Sequence, residues 1–191
     1  ANAAMGITAR PIYISADSSQ TKIYGNADPS LTYSVQAKAT GSGLLGTDSV
    51  TVTGSVSRAA GENVGSYAIG QNTVAASGTK ASNYSISYTG ANFAITARPI
   101  TLTASSATKV YGEVDPSLAV TVTSGSLASV AVTDTLASVT GTLSRSAGED
   151  VGNYNILLGS GSKAANYTIT FNSANAAMGI TARPIYISAD S

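Results

Sequence analysis

The segment ITARPI determines how this chain is organised, because it occurs three times, beginning at Ile7, Ile95 and Ile180. The intervals are 88 and 85 residues. In addition, the first eighteen residues, ANAAMGITARPIYISADS, recur without a change at Ala174–Ser191. Identity over that length does not arise by chance. The chain therefore contains two similar but non-identical repeats within one longer period.

Three further motifs recur in the same order in both repeats. They are KIYGNADPSLTYSV at Lys22 and KVYGEVDPSLAVTV at Lys109, GSVSRAAGENVGSYAI at Gly54 and GTLSRSAGEDVGNYNI at Gly141, and SNYSISYTGAN at Ser82 and ANYTITFNSAN at Ala165. The correspondence predicts four segments. These are 1–9 as the closing strand of a preceding repeat, 10–97 as the first domain, 98–182 as the second, and 183–191 as the opening strand of a following repeat.

An arginine–proline pair stands at each predicted junction between repeats. Proline lacks a backbone donor and holds the residue before it in an extended conformation. We therefore expect short, stiff junctions at Arg10-Pro11, Arg98-Pro99 and Arg183-Pro184. We also expect the two terminal segments either to fray or to complete one another between molecules. We expect the isolated chain to be a monomer in solution that can form head-to-tail contacts through these terminal segments.

Apolar and polar residues alternate within each repeat. In the first repeat Ile12, Ile14 and Ala16 alternate with Tyr13 and Ser15. Such a period of two, rich in β-branched and aromatic residues, is typical of half-buried strands. The pattern predicts a mainly β fold of about six strands per repeat, with two similar domains end to end. Helix is limited to single turns near 42–47 and 127–131.

The composition excludes several kinds of site. Ten basic residues balance ten acidic ones, so no net charge attracts nucleic acid or an anionic membrane. There is no cysteine, histidine or tryptophan, which excludes disulfides and imidazole chemistry. Glu149-Asp150 is the only adjacent carboxylate pair, and the first repeat has Glu62-Asn63 instead. We therefore expect no catalytic residues, no cofactor and no enzyme activity.

The recurring motifs resemble those of the MBG and YDG repeat families, MBG standing for "mostly beta-grasp". The resemblance rests on K-[IV]-Y-G-x-x-D-P-S-L, S-R-x-A-G-E-x-V-G-x-Y and N-Y-x-I followed by I-T-A-R-P-I, and it covers the chain twice. One departure is that Asn26 and Glu113 stand where the family usually has aspartate after Tyr-Gly. The resemblance implies a grasp-like β domain in which the first strand (Ile12–Ala16 or Ile100–Ala104) lies beside the last (Phe93–Ala97 or Met178–Ala182).

The same resemblance implies a function and a location. Repeats of this kind form arrays in large, secreted bacterial adhesins. We therefore expect an extracellular stalk on the bacterial surface that projects a distal adhesive region and bears tension, with any export signal outside this segment. The alternative is a module that binds carbohydrate or a matching adhesin in trans and contributes directly to biofilm or host attachment. We expect contacts with neighbouring repeats, and none with nucleic acid or the membrane interior.

Several side chains are candidates for more specific roles. Calcium prefers oxygen ligands, and the candidate ligands are Asn26, Asp28, Glu113 and Asp115, with turn capping as the simpler interpretation. Lys22 and Lys109 are candidates for an isopeptide bond. Tyr13 and Tyr186 are out of phase with the apolar positions, which makes them the exposed tyrosines and the candidate ligand contacts. Most of the other tyrosines recur at the same place in both repeats, among them Tyr24 and Tyr111, and are expected at core positions. Arg58 and Arg145 are expected to form local surface pairs with Glu62 and Glu149.

Overall fold

A computed structural model of the chain describes residues 5–173 and 177–189. The chain divides into two compact units. Unit 1 comprises Ala1–Ile23 and Ala27–Thr96, and unit 2 comprises Tyr24–Asn26 and Ala97–Ser191. Of the predicted terminal strands, residues 1–4 and 190–191 lie outside the described residues. The described residues 5–9 and 183–189 form no strand.

Unit 1 contains nine strands within its described residues. They are β1 (Arg10–Ala16), β2 (Thr21–Ile23), β3 (Tyr33–Val35), β4 (Thr51–Thr53), β5 (Ser57–Arg58), β6 (Gly65–Gly70), β7 (Ala75–Ser77), β8 (Tyr84–Thr89) and β9 (Ala91–Thr96). One sheet has the order β3-β1-β8 and a second has the order β2-β9-β6-β5, while β4 and β7 form a separate antiparallel pair.

Unit 2 contains seven strands within its described residues. They are β10 (Arg98–Ala104), β11 (Ala107–Val110), β12 (Val120–Gly125), β13 (Ser144–Arg145), β14 (Gly152–Leu157), β15 (Tyr167–Asn172) and β16 (Ala177–Thr181). The sheets have the orders β12-β10-β15 and β11-β16-β14-β13. The topology of both main sheets therefore repeats that of unit 1, as the sequence repeat predicts.

The predicted alternation positions the core. In β1, Ile12, Ile14 and Ala16 are buried, whereas Tyr13 and Ser15 are exposed. In unit 2 a buried cluster joins residues of both sheets, namely Ala104 of β10, Val120 of β12, Ile156 of β14 and Met178 of β16. The two sheets of unit 2 therefore enclose one apolar core. The mainly β fold in two tandem, similar domains is confirmed.

The predicted helical turns are wrong in position. Residues 42–47 and 127–131 contain no helix, and the α-helix of the described residues is α1, Leu136–Thr140. The side chain of Thr135 accepts a hydrogen bond from the Ser138 amide, and Ser138 in turn accepts one from the Thr135 amide. This reciprocal capping satisfies two amides at the start of a very short helix. No described helix is long and apolar enough to cross a membrane.

The predicted pairing of first and last strands is also wrong in its partner. The first strand, β1, pairs in parallel with β8, the strand before the last, and β9 pairs in parallel with β2. Unit 2 repeats this, with β10 beside β15 and β11 beside β16. The reason is that both the opening and the closing segment of each repeat pass from one sheet to the other. The two segments therefore run side by side through both sheets.

Candidate functional site

Parallel pairing joins the opening and closing segments of each repeat. In unit 1 the β1–β8 pairing runs from Arg10 opposite Tyr84 to Ser15 opposite Thr89, and it continues in the other sheet between β2 and β9. In unit 2 the corresponding pairings are β10–β15 and β11–β16. In both units, the opening segment and the closing segment are therefore held to each other by parallel pairing in both sheets.

Local interactions set the point at which the chain of unit 1 changes sheets. Between β1 and β2, the Gln20 side-chain amide donates to the backbone oxygen of Asp17 and its oxygen accepts from the Thr32 amide. Between β8 and β9 stands Gly90, where a Cβ would lie 2.8 Å from the backbone oxygen of Ile69. A side chain at this position would force the strands apart, so glycine is needed for the close approach.

The geometry determines how tension acts on this element. When two parallel strands are pulled from the start of one and the end of the other, the force runs along the strands. The inter-strand hydrogen bonds are then loaded together instead of one after another. Parallel ladders space these bonds evenly along the pair, so the load is shared among them.

A cluster of four charged side chains lies beside the second parallel pair in unit 1. We call Lys22, Asp28, Arg58 and Glu62 the first charge cluster. The Lys22 ammonium lies 2.6 Å from Asp28 Oδ1 and 2.5 Å from Glu62 Oε2. Arg58 binds both oxygens of Asp28, at 2.7 and 3.0 Å, and also contacts Glu62. Two cations and two anions thus alternate in a closed ring.

The cations of the first charge cluster are the buried members. The side chains of Lys22 and Arg58 are only 3% and 7% exposed. The Arg58 guanidinium lies over two rings, with its Cζ 5.2 Å from the centre of Tyr67 and 5.4 Å from that of Phe93. Two aromatic faces and two carboxylates therefore replace the water that these cations lose.

Unit 2 contains the same arrangement, which we call the second charge cluster: Lys109, Asp115, Arg145 and Glu149. Lys109 lies 2.6 Å from Asp115 and 2.5 Å from Glu149, and Arg145 contacts both carboxylates. The Arg145 Cζ lies 5.0 Å from the centre of the Tyr154 ring. Each cluster connects two strands of the same sheet. One is the strand that continues the opening segment (β2 or β11), and the other is the two-residue edge strand (β5 or β13).

The charge clusters shift the pKa values of their members. Hydrogen bonds from Arg145 and then Lys109 lower the pKa of Asp115 to about 2. Arg58 has the largest effect on Asp28 and also lowers its pKa. Burial alone would lower the pKa of Lys22, but the carboxylates of Asp28 and Glu62 outweigh it and leave that pKa above its usual value. All of these groups are therefore charged at neutral pH.

The second charge cluster makes the stability of unit 2 sensitive to acid. The pKa of Asp115 is about 2 in the folded unit and near 3.8 without its partners. Between these values the unfolded chain binds more protons, so the free energy of unfolding decreases as the pH falls from about 5 to about 2. We expect Asp115→Asn to flatten this decrease in urea unfolding of unit 2. An equal slope in the variant and the parent would contradict this assignment.

The candidate calcium ligands are engaged with cations instead of facing one another. Asp28 and Asp115 belong to the two charge clusters. Asn26 accepts a hydrogen bond from Arg98 at 2.5 Å, and Glu113 pairs with Arg183 at 2.9 Å. Among the described residues, no group of three acidic side chains lies close enough to hold a metal ion. This arrangement lends no support to a calcium site.

The candidate ligand tyrosines and the Arg-Pro pairs have distinct surroundings. Tyr13 is 43% and Tyr186 91% exposed, as their phase predicts. The Arg10 side chain donates to carbonyls of its own repeat, and Arg98 and Arg183 donate to the carbonyls of Tyr24 and Tyr111. Pro11 and Pro99 lie inside β1 and β10, whereas Pro184 lies outside any strand.

Sequence reasoning missed the charge clusters, because it assigned Arg58 and Arg145 to surface pairs. The pairs with Glu62 and Glu149 do form. Their expected exposure is wrong, since both arginine side chains are more than nine-tenths buried. The sequence does contain a pattern that indicates the charge clusters. All four members recur in the second repeat at one constant interval, although the loops between other landmarks differ in length. A constant spacing of four charges is what a shared network requires.

A comparison with known families matches the chain twice. The family model described as MBG domain (YGX type) matches residues 12–94 and 100–177. These ranges coincide with the two β domains and include every member of both charge clusters. No curated protein and no solved structure matches the chain.

Proposed function

Because this chain belongs to the MBG domain family (YGX type), we propose that it is a structural repeat segment of a bacterial surface adhesin. It serves as a spacer that projects a distal adhesive region and bears tensile load. Domains of this family typically occur in extracellular surface proteins. The proposal places the chain outside the cell and assigns it neither catalytic activity nor a cofactor.

The parallel pairing of opening and closing segments is the observation that carries this proposal. A spacer in a surface protein is loaded through the two ends of each domain. In both units the opening segment pairs in parallel with the closing segment, β1 with β8 and β10 with β15 in one sheet, and β2 with β9 and β11 with β16 in the other, so the load is applied along the ladders.

The charge clusters support the same proposal. The first charge cluster joins β2, which continues the opening segment, to the edge strand β5 and the turn at Asp28. Because the Lys22 and Arg58 side chains are buried, salt screens these pairs less than it screens exposed ones. The domain can therefore keep its shape at the varied ionic strengths that prevail outside a cell.

Pulling the whole chain from its two ends tests the proposal. We expect two separate unfolding events, one per unit, and refolding of both when the force is released. Each domain closes its own sheets, so neither needs the other as a template. Unfolding at forces no higher than those of a domain whose terminal strands peel apart one bond at a time would contradict the load-bearing role.

A binding module is the second candidate, and one observation favours it. A groove of about 580 Å³ lies beside the first charge cluster, lined by residues 28–31 and 55–62. A groove of about 590 Å³ with matching residues lies beside the second. A carbohydrate or an extended peptide of a partner adhesin would fit such a repeated groove. The exposed ring of Tyr13, which does not line the groove, is a separate candidate contact.

Glycan binding distinguishes the two candidates. We expect the fragment to bind no glycan on an array, because the spacer proposal needs no ligand. Specific binding that is abolished by Tyr13→Ala and retained in Lys38→Ala would instead favour the binding module. Lys38 is an exposed residue and serves as the matched control.

A further inference from the structure

The structure contains the Tyr-Gly turn of the repeat motif in two different states. Tyr24–Asn26 and Tyr111–Glu113 occupy the same place in the KxYG motifs. Within unit 2, the ring of Tyr24 is fully buried, whereas that of Tyr111 is 47% exposed. The prediction that both tyrosines are core residues is therefore wrong for Tyr111. The same motif tyrosine is thus packed against other residues in one copy and exposed in the other. This difference indicates that the Tyr111 turn is a contact surface without its partner in the isolated chain.

The buried turn shows what such a contact consists of. In unit 2 the ring of Tyr24 meets that of Tyr167 edge-on, with centroids 5.5 Å apart. Tyr167 donates a hydrogen bond to Asp134 at 2.8 Å and accepts one from the Ala128 amide at 2.9 Å. Burial, together with the Asp134 carboxylate, raises the pKa of Tyr24 to about 12. The acceptor is thus a tyrosine–aspartate pair held by one backbone amide.

The exposed turn has the same internal support as the buried one. Arg98 donates to the Tyr24 carbonyl and to Asn26, and Arg183 donates to the Tyr111 carbonyl and to Glu113. The Tyr111 turn is therefore already held in the conformation that the Tyr24 turn uses. Around it lies an exposed apolar surface, which we call the turn surface: Tyr111, Val114, Val151 and Ile185.

Unit 1 carries a second acceptor with the same hydrogen bonds. Tyr84 donates to Asp48 at 2.8 Å and accepts from the Leu45 amide at 3.1 Å. This pair lines a cavity of about 430 Å³, which we call the acceptor cavity. Residues 7–9 also line it, and these are exposed residues outside any strand. The Asp48 carboxylate also offers a hydrogen-bond acceptor for an incoming phenol.

We propose that the turn surface of one molecule docks into the acceptor cavity of a second copy of this chain. The Tyr111 ring then meets Tyr84 of the second molecule as Tyr24 meets Tyr167, and its hydroxyl approaches Asp48. This inference goes beyond the spacer function, since it describes an interaction between chains. The two surfaces differ, so the contact is heterologous and each molecule keeps one free surface of each kind. Association therefore produces linear, head-to-tail chains.

Two variants separate the two surfaces. Tyr111→Ala removes the ring from the turn surface and leaves the acceptor cavity intact. Leu45→Asp places a negative charge beside Asp48 in the acceptor cavity and leaves the turn surface intact. Val35→Ala is the matched control, because it removes an exposed apolar side chain that belongs to neither surface.

Sedimentation equilibrium up to millimolar concentration measures the association. We expect the parent and Val35→Ala to form an open series of oligomers, and each surface variant alone to associate at least about tenfold more weakly. An equimolar mixture of Tyr111→Ala and Leu45→Asp should form a dimer and stop there, since only one productive contact remains. A monomeric parent, or association of Tyr111→Ala equal to that of the parent, would overturn the proposal. Circular dichroism verifies that both variants are folded.

Discussion

Replacing Phe93 with alanine is expected to lower the free energy of unfolding of unit 1 by about 4 kcal/mol. The Phe93 ring is fully buried on β9, opposite Tyr67 of β6. It also forms one of the two aromatic faces beneath the Arg58 guanidinium. Alanine at position 93 therefore leaves a cavity in the core and removes part of the surface on which a buried cation lies.

The second repeat provides the control for this prediction. Met178 pairs with Tyr154 as Phe93 pairs with Tyr67, and it is also fully buried. We therefore expect Phe93→Met to cost less than about 1.5 kcal/mol, because methionine fills most of the same volume. Urea unfolding measures both variants, and native-state hydrogen exchange assigns the loss to unit 1. An alanine variant within about 1 kcal/mol of the parent would contradict this account of the core.

Replacing Arg58 with alanine is expected to destabilise unit 1 by about 3 kcal/mol. The substitution removes both hydrogen bonds to Asp28 and the contact with Glu62. It leaves two carboxylates to share the single ammonium of Lys22. This loss of stability is at the lower end of the range for breaking a buried ion pair. The reason is that the two carboxylates are partly exposed to water, which screens them.

Two substitutions separate the geometry of Arg58 from its charge. Arg58→Lys keeps the charge but cannot bind both oxygens of Asp28. We therefore expect it to lower the free energy of unfolding of unit 1, but by less than Arg58→Ala does. Lys38→Ala removes an exposed cation and should change the stability by less than about 0.5 kcal/mol. If Arg58→Ala were as mild as Lys38→Ala, the first charge cluster would contribute nothing to stability.

The longer strands were predictable because each one alternates between core and solvent. The seven residues of β1 contain enough of the pattern to show which side chains are buried. The short strands β4, β5 and β7 contain only two or three residues, too few to show any period. Pairing was harder to predict, because the alternation determines which face is buried and not which strand lies beside it.

The charge clusters and the Tyr-Gly turn show a different limit. A lysine is usually exposed, so nothing in the sequence near Lys22 indicates that its side chain is 3% exposed. Only the constant spacing of all four charges in both repeats identifies the cluster. Tyr24 and Tyr111 lie in the same motif, yet only one is buried. Their difference comes from distant residues such as Tyr167, which no local pattern contains.

The dependence of the unfolding force on pulling direction tests the central claim most directly. The chain has no cysteine, so two introduced cysteines define where handles attach. Handles at Ala9→Cys and Ala97→Cys load the parallel strands of unit 1 from opposite ends, along the ladder. Handles at Ala9→Cys and Ser82→Cys load them from the same end, because Arg10 lies opposite Tyr84.

We expect unit 1 to withstand a force several times higher through the first pair of handles than through the second. Along the ladder, all β1–β8 hydrogen bonds must break together, whereas from one end they break in sequence. Equal forces in the two directions, or a lower force along the ladder, would show that parallel pairing of the opening and closing segments does not carry the load.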